Sequence, residues 1–316
     1  MMTRSVGPDT ATVRRLSAGV LRWVRLHAEF LDSPSGRAEL PVAPRVKALL
    51  QLALLRRSWE RATPADPGLD AVTAVLGRVW RDPDHLRLLA LDPSYAGGFQ
   101  LMYGALAPAG VVHDSYRQVL AGLTAGGALA PGRRSPFGQL ETRYYADLLG
   151  LAHRFGGYPE LYRASLLARH GDGQPVTDLE VCDVTHTIFH LTDFGGHAPE
   201  LTDAELAHAR DRVERLTGLT VERQEWELGA KLVLAQHCLG LDPLHTPSGA
   251  AALRMLVEVQ TPGGAIPGRS AGDRAARAET TVEFFRKSYQ ATVVAALATV
   301  TVLHSRVGEP VLGGAR

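Results

Sequence analysis

Hydrophobic positions along this chain recur every three or four residues and show no sustained alternation. Residues 10–31 place Val13, Leu16, Val20, Leu21, Val24 and Leu31 on one side, the spacing of a helix that buries one face. The same period predicts helices over 44–61, 69–80, 95–106, 114–124, 138–155, 160–170, 178–194, 202–216, 222–239, 248–260 and 279–303, with a weaker segment over 85–91. Their ends carry matching chemistry. Pro44 stands near a helix start, Asp114 is a good N-cap, and Thr202 with Glu205 forms a capping box. Residues 126–137, rich in Gly, Pro and Arg, predict a loop. Val and Thr cluster over 291–303, but the Ala spacing there still favours helix. About twelve amphipathic helices on short connections predict an all-α chain, either an open solenoid or a closed (α/α) toroid of helical hairpins. We read residues 1–316 as one domain, with the repeat clearest over 132–303.

One helix departs from the usual surface pattern. Between Leu179 and Gly195, Val181, Val184, Ile188 and Leu191 form an apolar stripe. Asp183, His186, His190 and Asp193 form a second stripe, with Cys182 at its edge. Solvated helix faces are built mainly from Lys, Glu and Arg, and none of these occurs between Val181 and Gly195. This helix is therefore expected in the inner layer, as the wall of a cavity. His186 and His190, four positions apart, share a face and could hold one Zn²⁺, with Asp183 or Asp193 as a third ligand and Cys182 or His237-Cys238 as a further one. Without a metal, Asp183 could orient His186 and Asp193 could orient His190 for general acid–base work, keeping one imidazole titratable near neutrality. Structural histidines bonded to carboxylate or backbone are the bland alternative. Glu227 and Lys231 are a further pair at helical spacing among Trp226, Leu228, Leu232 and Leu234. Tyr289 opens the last apolar helix segment.

A uneven repeat accompanies the helices: a helix, a Gly/Pro turn, then a more apolar helix. The best example is Gln260, then Gly263-Gly264-Ala265-Ile266-Pro267, then Tyr289-Gln290-Ala291-Thr292. It resembles the terpenoid-cyclase and protein-prenyltransferase superfamily, whose outer helices end in Gln before a Gly-rich turn and whose inner helices begin with an aromatic and small residues. The likeness spans roughly 132–303 and implies a toroid of six inner and six outer helices. No Asp-Gly-Ser-Trp turn and no Asp-x-Asp-Asp motif is intact, so terpene chemistry is not implied. Residues 185–195 also resemble a segment of actinobacterial proteins of unknown function.

Composition narrows the class. Of 316 residues, 45% are hydrophobic and 21% charged, with a formal charge of +1, which fits a globular chain and gives no footprint for nucleic acid or a membrane surface. The first residues lack a signal-peptide pattern, and Ala291–Leu303 is too short and too broken by Thr to span a bilayer. Cys182 and Cys238 both fall in predicted helices and read as reduced thiols of a cytoplasmic protein. Walker, Rossmann and Gly-x-Ser-x-Gly patterns are absent. The expected function is an enzyme acting on a small organic molecule of the specialised-metabolite kind, in the central cavity. Metal-assisted or His/Asp acid–base cyclisation, isomerisation, elimination or group transfer would all suit. Asp183, His186, His190, Asp193, Glu227 and Tyr289 are the candidate catalytic residues; His186, His190, Asp183 and Cys182 are the candidate metal ligands. The alternative is a helical-repeat module that binds a peptide or partner protein on its concave face.

Overall fold

A computed structural model describes residues 8–91, 96–111, 114–127, 129–132, 134–169, 177–268 and 281–304. The described chain is all-helical, without strands. Its helices are α1 (Thr10–His27), α2 (Pro34–Glu39), α3 (Val42–Ala62), α4 (Gly68–Arg81), α5 (Pro83–Leu88), α6 (Ala96–Ala105) and α7 (Asp114–Ala125). Then follow α8 (Pro136–Leu148), α9 (Tyr158–Ala164), α10 (Asp178–Leu191), α11 (Asp203–Glu222), α12 (Trp226–Cys238), α13 (Pro247–Val259) and α14 (Val282–His304). A single 3₁₀ turn, Ala28–Leu31, extends α1.

Six helices follow one another by contact in a circuit. α3 packs on α6, α6 on α8, α8 on α10, α10 on α12, α12 on α14, and α14 returns to α3. The others lie against this circuit: α1 on α14, α4 on α3, α7 on α6, α9 on α8, and α11 and α13 on α12. These neighbour relations are consistent with the helical toroid expected from the sequence. α14 contributes the most buried residues of the six. Fourteen of its residues are buried, among them Phe284, Tyr289, Thr292 and Thr299. Its buried threonines return their hydroxyls to the backbone four residues back (Thr299 Oγ1 to the Ala295 carbonyl, 2.8 Å), which satisfies the polar atom inside an apolar environment.

The Gln–Gly turn singled out in the repeat is a structural latch. Gln260 Nε2 donates to the Leu16 carbonyl at 3.0 Å and to the Gly264 carbonyl at 3.1 Å, tying the end of α13 to α1. Thr292 Oγ1 accepts from the Ile266 amide at 2.9 Å, fixing the turn to α14. Gly264 has φ +100°, and a Cβ there would come within 2.3 Å of the Gly19 carbonyl oxygen. Only glycine permits both the conformation and the approach.

Several boundaries differ from the periodicity. The helix expected over 138–155 starts at Pro136, with Ser135 capping the Gly138 amide at 3.1 Å, and ends at Leu148, where Gly150 takes φ +65°. α9 is shorter than expected, and α2, a single turn capped by Ser33 and started by Pro34, is too short to show a period. α11 runs six residues beyond 216, to Glu222, because Thr217 and Thr220 are buried and bond their own backbone.

Candidate functional site

Five helices of the circuit, α3, α6, α8, α10 and α14, line a cavity of about 950 Å³. Such a volume lies at the upper end of the range for small-molecule sites. Part of the lining is apolar, with Leu31, Leu40, Phe99, Met102, Phe137 and Phe285. The rest is polar and includes four cations, Arg45, Lys47, Arg134 and Arg286, alongside Gln51, Glu141, Thr142, His186, Tyr289 and Gln290.

α10 belongs to the ring, as its double stripe predicts. Thr177 and Glu180 close a capping box at its start. Val184 and Ile188 are fully buried on one stripe, and His190 is 4% exposed on the other. His186 lines the cavity, its ring stacked on Phe137 at 5.8 Å between centroids. His190 sits deeper among aromatic rings, with Tyr144 at 5.0 Å, Tyr145 at 5.8 Å and Phe137 and Phe194 at 6.0 Å.

The expected carboxylate–imidazole pairs do not form. Asp193 lies past the end of α10 with φ +48°, followed by Phe194 at φ +53°, a backbone that swings its carboxylate away from His190 and onto α3 and α8. There it accepts from Arg57 at 2.5 and 3.1 Å, from Arg61 at 2.8 Å and from the Tyr144 hydroxyl at 2.5 Å. Burial pushes the Asp193 carboxyl up, but the Arg57 and Tyr144 hydrogen bonds and the two guanidinium charges outweigh it and hold the carboxyl below its usual range. Asp193 is thus a structural junction of three helices. Asp183 has one buried oxygen without a hydrogen bond, and burial raises its pKa against the pull of Arg169 and the Thr187 hydroxyl.

Without a bonded acid, both histidines are neutral at pH 7. Burial is the largest cause in each. It lowers His190 to about 3 against a weak opposing field from Asp193. It takes His186 well below its usual value, with Lys231, His190 and Lys47 adding to the effect. This corrects the expectation of an imidazole titrating near neutrality: desolvation outweighs pairing when the partner carboxylate is engaged elsewhere. Among the described residues, no three His, Cys, Asp or Glu side chains converge as a metal would require. Cys182 instead lies 3.4 Å from the Lys231 ammonium.

Glu227 and Lys231 form a partly buried pair, 3.6 Å apart, with Lys231 7% exposed. Gln290 donates to Glu227 Oε1 at 2.6 Å and also lines the cavity. Tyr289 lines the cavity too; its hydroxyl donates to the Ala48 carbonyl at 3.2 Å, and burial raises its pKa far above the usual range.

The acid that faces the cavity was not among the sequence candidates. Glu141 on α8 lines it without a bonded partner, and burial alone raises its carboxyl from 4.5 to about 7. A signal existed: Phe137, Glu141 and Tyr145 step by four along one helix face, and the glutamate is the sole charged residue on that face. Arg45 had a similar signal, since Arg45, Leu49, Leu52, Arg56 and Trp59 keep a core spacing. Both arginines are 8% exposed; Arg56 donates to Glu60 at 2.9 Å, whereas Arg45 has no such partner.

Among the described residues, no helix is long and apolar enough to cross a membrane. No curated protein and no solved structure matches the chain, and neither result bears on the likeness to the terpenoid-cyclase superfamily. A family model does match, over residues 17–300, from within α1 to within α14; the chain belongs to the DUF6895 family, a domain of unknown function.

Proposed function

We propose that this chain is an enzyme that performs proton-transfer chemistry on a small organic molecule in the cavity, with Glu141 as the general acid–base. The observation that supports this is the Glu141 carboxyl itself. It lines a cavity of small-molecule size, has no bonded partner, and is raised to about 7, where protonated and ionised forms coexist at neutral pH. His186, neutral and stacked on Phe137 one helical turn before Glu141, is suited to accept or donate a hydrogen bond without adding charge. Isomerisation or elimination fits a single acid–base better than a reaction that needs two charged groups. The free thiols of Cys182 and Cys238 favour a cytoplasmic location.

The reading is tested by incubating wild-type and Glu141→Gln protein with a soluble metabolite extract and comparing the products by mass spectrometry. Conversion of at least one small molecule by the wild type, lost in the variant, supports it. Equal conversion by the two proteins, zero included, refutes it. A ¹³C titration of the Glu141 carboxyl with a midpoint below 5 would also refute it.

A further inference from the structure

We infer that the mouth of α3 forms an oxyanion subsite and that the ligand of this cavity carries a phosphate or carboxylate group on an apolar body. The inference rests on the reading of the cavity as a small-molecule site and adds the charge class of the molecule.

Arg45 is the anchor. It lines the cavity and is more than nine-tenths buried, and its Nε has no hydrogen-bond partner. Burial lowers its pKa, Arg37 lowers it further, and only the fields of Asp32 and Asp82 oppose this. Neither carboxylate is available to it. Asp32 accepts from Arg37 at 2.7 Å and from Arg78 at 3.1 Å, and Asp82 accepts from Arg37 at 3.0 Å. A guanidinium stays charged at any ordinary pH, so a buried one without an acid is a donor set awaiting an anion.

Three further features converge on the same space. Ala43 and Pro44, in the first turn of α3, line the cavity, and the N-cap Pro41 supplies no side-chain acceptor. The positive end of a 21-residue helix is therefore left open toward it. Lys47, one turn from Ala43, and Arg286 on α14 also line it, and neither has an ion-pair partner among the described residues. Glu141 is the only acid among the described residues of the lining, and its raised pKa leaves it about half neutral at pH 7. The Lys47 charge is felt at His186, so the basic end and the acid–base end lie within electrostatic reach. Phe99, Phe137 and Phe285 supply apolar surface for the rest of the ligand.

The test is calorimetry on the full chain with four probes: phenyl phosphate, phenylacetate, benzyl alcohol and inorganic phosphate. The expected result is binding of one or both aromatic anions, weakened by added salt, with benzyl alcohol at least about 10-fold weaker. Preference between phenyl phosphate and phenylacetate identifies the oxyanion, and inorganic phosphate isolates the contribution of the group alone. Arg45→Met should weaken the preferred anion at least about 10-fold. Arg286→Gln, a change at an exposed position, should weaken it about threefold to tenfold without a risk to folding. Equal binding of benzyl alcohol and both anions overturns the inference. So does unchanged anion binding in folded Arg45→Met and Arg286→Gln, or no binding of any anion. The experiment reads no turnover: anion binding retained by Glu141→Gln, with no conversion by wild type, would refute the enzyme reading and leave the subsite standing.

Discussion

Replacing Glu141 by Gln should stabilise the protein at alkaline pH and change little at acid pH. In the folded chain the carboxyl titrates near 7, against 4.5 when free. Between these values the folded chain holds a proton that the unfolded chain has released, so stability falls as pH rises through the window. The gap from 4.5 to about 7, at about 1.36 kcal/mol per unit, makes the full loss about 3 kcal/mol. Water in the cavity can only reduce that figure. Glutamine keeps the shape and does not titrate. Urea unfolding followed by circular dichroism should give nearly equal stabilities at pH 4, below both values, where Glu141 is mostly protonated in the folded and the unfolded chain alike. At pH 8 the variant should be more stable by up to about 3 kcal/mol. His85, His186 and His190 also titrate with folding, but they are common to both proteins and cancel in the difference. A pH-independent difference, or a variant less stable at pH 8, would refute the burial of an unpartnered carboxyl at this position.

Three other outcomes follow from the same physics. His190 is lowered to about 3, so below the usual imidazole pKa of about 6.5 the unfolded chain takes up a proton that the folded chain refuses; His190→Phe should remove that acid-side loss of stability, read as a flatter unfolding midpoint between pH 6.5 and 4. Asp193→Asn keeps a residue that tolerates φ +48° but leaves Arg57 and Arg61 facing no carboxylate, and should cost about 3 kcal/mol at pH 7 by urea unfolding. Dialysis against a strong chelator should leave turnover intact, because Asp183 and Cys182 do not converge with His186 and His190; loss of turnover restored by Zn²⁺ would return the two histidines to the role of metal ligands.

Periodicity carried the architecture because each ring helix must bury a stripe, and that requirement is written locally. α10 was legible on the same ground: charged residues missing from its second stripe meant that stripe faced inward. The partners of its side chains were not legible. Asp193 stands three positions after His190, close enough on a continuous helix, but the helix ends at Leu191 and two left-handed residues redirect the carboxylate to Arg57 and Arg61, over 130 residues away in sequence. Glu141 and Arg45 were overlooked for a related reason. One acid or one arginine on a helix usually points to water; the core spacing of their neighbours argued otherwise, and the arrangement of α3, α8 and α14 around a common space shows that these two face a cavity.

Buried polar groups in this fold are of two kinds, partnered and unpartnered, and two of the unpartnered ones share the cavity. Gln236 is fully buried, yet donates to Thr217 at 2.9 Å and Ser248 at 3.0 Å and accepts from Thr246 at 2.5 Å. Asp193 is met by two arginines and a tyrosine. Arg56, as buried as Arg45, has Glu60. Outside the cavity lining, Ser58, His85, Asp183, Thr187, His190 and Ser288 each keep a buried polar atom without a hydrogen bond, as does the Nε of Arg56. Glu141 and Arg45 lack partners while facing the same 950 Å³ space, one an acid held near neutrality and the other a cation without an anion. Each opposes folding by about 1–3 kcal/mol, and together they take a sizeable share of the 5–15 kcal/mol that keeps a typical domain folded. A ligand that brings an oxyanion to Arg45 and an exchangeable proton to Glu141 relieves both at once. The protein should accordingly gain thermal stability on binding such a molecule, by more than either group's replacement achieves alone.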